Sequence, residues 1–240
     1  MSVDKSFIDK ILKLAPADIH RVDFRNYSDR KLYQLTPPVI GNVEVHTLTA
    51  IVDFCRKELV SSGFQYLVHV ASPGGVAVMS AADADYRQRE YPVTAVLQAE
   101  LFPFGRYIDT EHFVIALQSQ FVQDKTTAAI LALVGNLTTV AESRTLDDGV
   151  SQVVEARVGL SKRETVVVPN PVQLAPFRTF VEVEQPVSNF VFRINAKDHS
   201  CALYEADGGA WKNAATARIK EILVKALSEF DAGKIFTVLA

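Results

Sequence analysis

The order of the hydrophobic periodicities is what most constrains this chain. Before about residue 146, the helical spacings are concentrated, as in Leu48, Ile51, Val52, Cys55 and Leu59, or Phe113, Val114, Leu117 and Phe121, with a few short strand-like runs between them. At Asp147-Asp148-Gly149 the character changes, and strict alternation follows: Val154, Ala156, Val158 and Leu160 stand against Glu155 and Arg157. Helices and strands therefore do not alternate one for one, which disfavours a doubly wound parallel sheet. The expectation is an α+β fold with an antiparallel-rich sheet in the second half, helices packed on one side of it, and a helical hairpin in the middle of the chain. With no polar linker or internal repeat, residues 1–240 read as one domain with a soft boundary near 146.

Local signals place the elements. An amphipathic stretch over 4–14, with Phe7, Ile8, Ile11, Leu12 and Leu14, reads as a helix stopped at Ala15-Pro16. A short strand is expected over 32–36. Thr47 is a candidate N-cap for a helix that Gly63 ends. Strands over 65–71 and 76–80, joined by Ser72-Pro73-Gly74-Gly75, form a hairpin signal, and 91–101 is a further strand. Asp109 or Thr110 caps a helix to 121, and Asp124 caps one over 125–141. Strands follow over 151–160, 163–168, 179–184, 189–195 and 200–205. Gly208-Gly209 precedes a helix over 210–230, with Ile219, Ile222, Leu223, Ala226 and Leu227 on one stripe. The apolar run 235–239 is a closing strand or a partner-seeking tail.

The charge, 25 basic against 28 acidic residues for a net −3, speaks against a chain built to coat nucleic acid. Roughly 70% of the unfolded surface should be buried at this length, so the core needs no staples. Cys55 and Cys201 make no disulfide framework and read as buried inert thiols. No apolar run approaches the roughly 18 to 20 residues of a span, and the N-terminus lacks a signal-peptide core. A cytoplasmic protein with no membrane partner is expected.

Chemistry-bearing patterns are sparse. The histidines at 20, 46, 69, 112 and 199 offer no His-x-x-x-His pair, and there is no Cys-x-x-Cys, so no metal or cofactor is expected. His69, inside an apolar strand, reads as a core histidine. No Gly-x-Ser-x-Gly elbow marks a hydrolase. Glu182 and Glu184 would share one face of a strand, and with Asp147 and Asp148 they are the candidates for a carboxylate-metal site; a solvated strand face is the plainer reading. Four residues are candidates for ligand binding. Arg178 and Arg193 lie among phenylalanines and could pair phosphates beside stacked bases, and Gly208 and Gly209 open a helix whose first amides could hold an anion. The structural alternative is a core of Phe180, Phe190 and Phe192, with Arg178 or Arg193 pairing Glu182, and a plain turn at Asp207-Gly208-Gly209.

The segments Asp147-Asp148-Gly149-Val150-Ser151-Gln152 and 171–190 (PVQLAPFRTFVEVEQPVSNF) resemble the YfdQ-type domain of unknown function of phages and prophages. The stretch Thr47-Leu48-Thr49-Ala50-Ile51-Val52-Asp53-Phe54, the strand at 66–70 and Glu111-His112-Phe113 follow in a similar order. The resemblance implies a phage or prophage accessory protein made in the host cytoplasm; it carries no catalytic residues or cofactor. The resulting expectation is a protein that binds and self-assembles as a homo-oligomer, with a host or phage protein as a further partner, and is not an enzyme. The alternative is a single-stranded nucleic-acid or nucleotide-binding protein.

Overall fold

A computed structural model describes residues 4–22, 25–28, 31, 40–82, 88–138, 144–147, 152–158, 162–168, 170–195 and 197–240. Contacts divide the chain into two units, Met1–Val39 and Ile40–Ala240.

In the first unit, α1 (Lys5–Leu14) starts at Asp4, whose carboxylate accepts the Phe7 amide at 2.9 Å, and stops at Ala15 as the following proline requires. Strands β1 (Ile19–Val22) and β2 (Arg25–Ser28) pair antiparallel. The strand expected over 32–36 lies outside the described residues.

The second unit opens with β3 (Val43–Val45) and α2 (Leu48–Phe54), which runs on into a π-helical turn, Cys55–Leu59. Thr47 caps α2 by accepting the Ala50 amide, as its sequence position predicts. The anticipated hairpin is β4 (Tyr66–Ser72) and β5 (Gly75–Ser80). Gly74 is needed in its turn, since a Cβ there would stand 3.0 Å from Leu97 Cβ. The next strand, β6 (Val93–Val96), is shorter than the apolar run suggested. After β7 (Ile108–Asp109), α3 (Thr110–Ser119) and α4 (Lys125–Thr138) form the expected helical hairpin. Asp109 caps α3 and Asp124 accepts the Thr127 amide at the start of α4.

Strands β8 (Arg144–Asp147), β9 (Gln152–Val158) and β10 (Lys162–Val168) make an antiparallel sheet in the order β10-β9-β8. A second sheet, β11-β12-β13-β7, uses β11 (Val172–Leu174), β12 (Ser188–Asn195) and β13 (Ser200–Glu205). Helix α5 (Ala210–Ser228) and β14 (Phe236–Leu239) complete the chain. β14 joins β4 in parallel, giving a five-stranded sheet β14-β4-β5-β6-β3 whose central pairs are antiparallel. The terminal apolar run is thus a closing strand. The architecture is α+β, with antiparallel-rich sheets and their helices.

Two apolar clusters hold this unit. One packs Phe113, Leu117, Phe121, Ile130 and Val134 of the helical hairpin against Leu174, Phe190, Phe192 and Leu203. The other packs Leu48, Ile51 and Cys55 with Ile219, Leu223 and Leu227 over Val68, Val70, Val76 and Val78. Both cysteines are buried, free, and pushed up to about 12 by burial, as inert thiols should be.

Three expectations need correction. Residues 179–184 are not a strand: they form a turn and irregular backbone, with Phe180 and Val183 buried in the second cluster. Alternation of valine and glutamate imitated a half-exposed strand, but among the described residues no neighbouring strand lies there to complete a ladder. His69 is half-buried on the face of β4 opposite Val68 and Val70, so it is not a core histidine. Arg178 pairs with Glu205 and not with Glu182.

Candidate functional site

The segment between β11 and β12 threads from one apolar cluster to the other. After an antiparallel bridge between Pro176 and Phe121, residues 178–185 have no strand partner among the described residues, so their backbone polar groups need side chains. Gln185 supplies them: its Oε1 accepts the amides of Arg178 (3.1 Å) and Thr179 (3.3 Å), and its Nε2 donates to the carbonyls of Val183 (3.0 Å), Phe180 (3.2 Å) and Thr179 (3.4 Å). Thr179 Oγ1 donates to the Pro73 carbonyl at 2.5 Å, tying the segment to the β4–β5 turn.

Held this way, Arg178 is only 4% exposed. Its Nη1 donates to Glu205 Oε1 at 2.5 Å and its Nη2 to Ser188 Oγ. The guanidinium lies over the Trp211 ring, 3.8 Å from the centroid, and 5.6 Å from that of Phe190, which is itself stacked on Phe104. Burial draws the Arg178 pKa down and Glu205 and Asp207 oppose it, so the group stays cationic wherever the protein is folded.

Asp207 completes the cluster. Its burial favours the neutral acid, but the Ser188 hydroxyl, the Gly209 amide, the Arg178 charge and the Trp211 amide together outweigh burial and lower its pKa. Ser188 is therefore a relay, accepting from Arg178 and donating to Asp207. Gly208 and Gly209 have φ of +62° and +82°, a left-handed pair that only glycine adopts without strain, and it aims the Gly209 amide at Asp207 Oδ1, 3.0 Å away. The helix N-terminus, a candidate from the sequence for holding an external anion, thus already holds the chain's own carboxylate. One guanidinium faces two carboxylates, the wrong balance for phosphate.

Of the four candidate ligand-binding residues, Arg178, Gly208 and Gly209 are brought together at the start of α5. Arg193 is not with them: it faces away from Phe190 and Phe192 on β12, opposite Ala202 in register. The paired acids diverge. Glu182 accepts the Thr49 amide at 3.1 Å, while Glu184 faces Arg218 at 3.9 Å. Asp148 lies outside the described residues. No group of three or more His, Cys, Asp or Glu side chains among the described residues could hold a metal ion. Reading the sequence missed Ser188, Glu205, Trp211 and Gln185 and took Asp207 only as part of a turn; the one signal for the missed residues was the single tryptophan directly after Gly208-Gly209-Ala210.

The sheet edges form the other candidate. Among the described strands, β10 opens with Lys162, Arg163 and Glu164, β8 carries Arg144 and Asp147, β3 carries Glu44, and β7 is two residues long. Edge strand β11 is bracketed by Pro171 and Pro176. Charges, prolines and shortness are how sheets avoid edge pairing. β14, Phe-Thr-Val-Leu, has neither charge nor proline, and among the described residues it pairs on one side only, with β4. Because the Tyr66 amide donates to the Ile235 carbonyl at 2.7 Å, Thr237 also turns its polar groups toward β4, and alternate residues turn theirs outward. The outward Phe236 amide is taken by Asp231 Oδ2 at 3.1 Å. The Phe236 carbonyl and both backbone groups of Val238 remain directed away from the sheet.

No protein-family model, curated protein or solved structure matches the chain.

Proposed function

We propose that this protein acts by binding and self-assembly, not by catalysis, and that a second copy pairs along β14. The observation that carries the reading is the open β14 edge, uncharged and free of proline where the other described edges carry charge, proline or only two residues. Antiparallel pairing of β14 with its symmetry mate would satisfy the Phe236 carbonyl and Val238 groups in both copies and join two five-stranded sheets. Leu239, 42% exposed, adds apolar surface to the contact. In this reading the protein is an accessory factor of a phage or prophage in the host cytoplasm, as the sequence resemblance implies. The internal neutralisation of Arg178 favours assembly over the nucleic-acid alternative.

The test is solution mass by light scattering, for the wild type and Val238→Pro. Proline at 238 removes an outward amide and leaves the bonds to β4 intact. A defined oligomer that becomes a folded monomer in the variant is the expected result. A wild-type monomer, or an unchanged mass in the variant, would overturn the reading.

A further inference from the structure

The first unit presents an apolar surface that β14 does not account for. On α1, Phe7 is 54% exposed, Ile8 47%, Ile11 52% and Leu14 82%, and these four cover roughly a third of the helix circumference at about 3.6 residues per turn. The charges are arranged around that stripe. Lys5 and Lys10 fall on its two borders, while Asp9 falls on the far side. The other acid, Asp4, is committed to the helix start, accepting from the Phe7 amide and the Ser6 hydroxyl, both at 2.9 Å.

We propose that α1 is an interfacial helix that lies on an anionic lipid surface, with Phe7, Ile8, Ile11 and Leu14 entering the acyl boundary. Lysines on both borders can lay their methylene stems along the apolar surface while their ammonium groups reach lipid phosphates, and Asp9 points to water. Size argues against a second copy as the occupant. A ten-residue helix is about 15 Å long, and a pair of such stripes falls well short of the ~1,200 Å² that stable protein interfaces bury. A membrane surface sets no such minimum, since apolar insertion and attraction to anionic headgroups add residue by residue. No helix among the described residues is long and apolar enough to cross a membrane, so the association is with the surface. This departs from the sequence expectation of no membrane partner.

The experiment is flotation of the full chain with vesicles of phosphatidylcholine containing phosphatidylglycerol, against phosphatidylcholine alone. The wild type should float with the anionic vesicles, weakly or not with the neutral ones, and less as salt rises. Ile11→Glu should weaken flotation about tenfold or more. Lys5→Glu with Lys10→Glu should abolish the preference for anionic lipid. These positions are exposed, so circular dichroism and Tm should match the wild type. No flotation at millimolar anionic lipid, or flotation undiminished in Ile11→Glu, would overturn the proposal. So would a lower solution mass for Ile11→Glu, which would mean that another copy covers the stripe.

Discussion

At the residue scale, Arg178 is a structural cation whose value lies in what it joins. It links the β11–β12 segment to β13 through Glu205 and to α5 through Trp211 and the Ser188 relay. Glu205 is 38% exposed and can rehydrate if its partner is lost, so Arg178→Ala forfeits mainly packing and hydrogen bonds. We expect a loss of about 2–3 kcal/mol, read as a fall in the urea midpoint. Lysine should not rescue it, since it cannot serve Glu205 and Ser188 at once while stacking on the indole. Asp207 carries the pH signature. Its folded pKa lies below the ordinary 3.8, so the ionised carboxylate adds stability that is complete above about pH 4 and is lost as pH falls through the lowered folded value. Asp207→Asn should be less stable at pH 7 and should lose less of its stability on acidification below pH 4. An acid limb as steep as the wild type's would refute this.

At the element scale, the segment 178–185 shows a side chain standing in for a strand. Gln185 needs both its acceptor and its donors, because it takes two amides and serves three carbonyls in a buried place. Gln185→Glu is nearly isosteric and keeps the acceptor, but sets a carboxylate against three carbonyls. We expect a cost of about 3 kcal/mol or more in denaturant unfolding, larger than for Gln185→Met, which merely leaves the groups unpaired. The other elements follow their local chemistry. Thr47 and Asp124 cap the helices they were expected to cap, and of Asp109 and Thr110 it is Asp109 that caps α3, because a cap is a bond between residues three apart and needs nothing from the rest of the chain.

At the scale of the molecule, the chain's contacts separate Met1–Val39 from Ile40–Ala240, and each apolar cluster lies wholly within the second unit. The chain of residues 40–240 should therefore fold by itself. Calorimetry should place its Tm within about 4 °C of the full chain's main transition, the shift that ~1 kcal/mol would produce. A much larger fall would show that the first unit supports the second.

The sequence by itself determined the helices, the β4–β5 hairpin, the strands β12 and β13, the inert thiols and the α+β class. Each depends on a period, a cap or a turn within a few residues. Tertiary structure decided that the valine–glutamate alternation over 179–184 is a turn, because a strand exists only where a neighbour completes its ladder. It decided likewise that Arg178 meets Glu205, Ser188 and Trp211, residues 10 to 33 positions away, while Arg193 faces elsewhere. It also placed the terminal apolar run beside β4, more than 160 residues earlier in the chain, with no strand on its outer edge among the described residues. Those are long-range pairings, fixed by which surfaces exclude water together, and no local pattern encodes them.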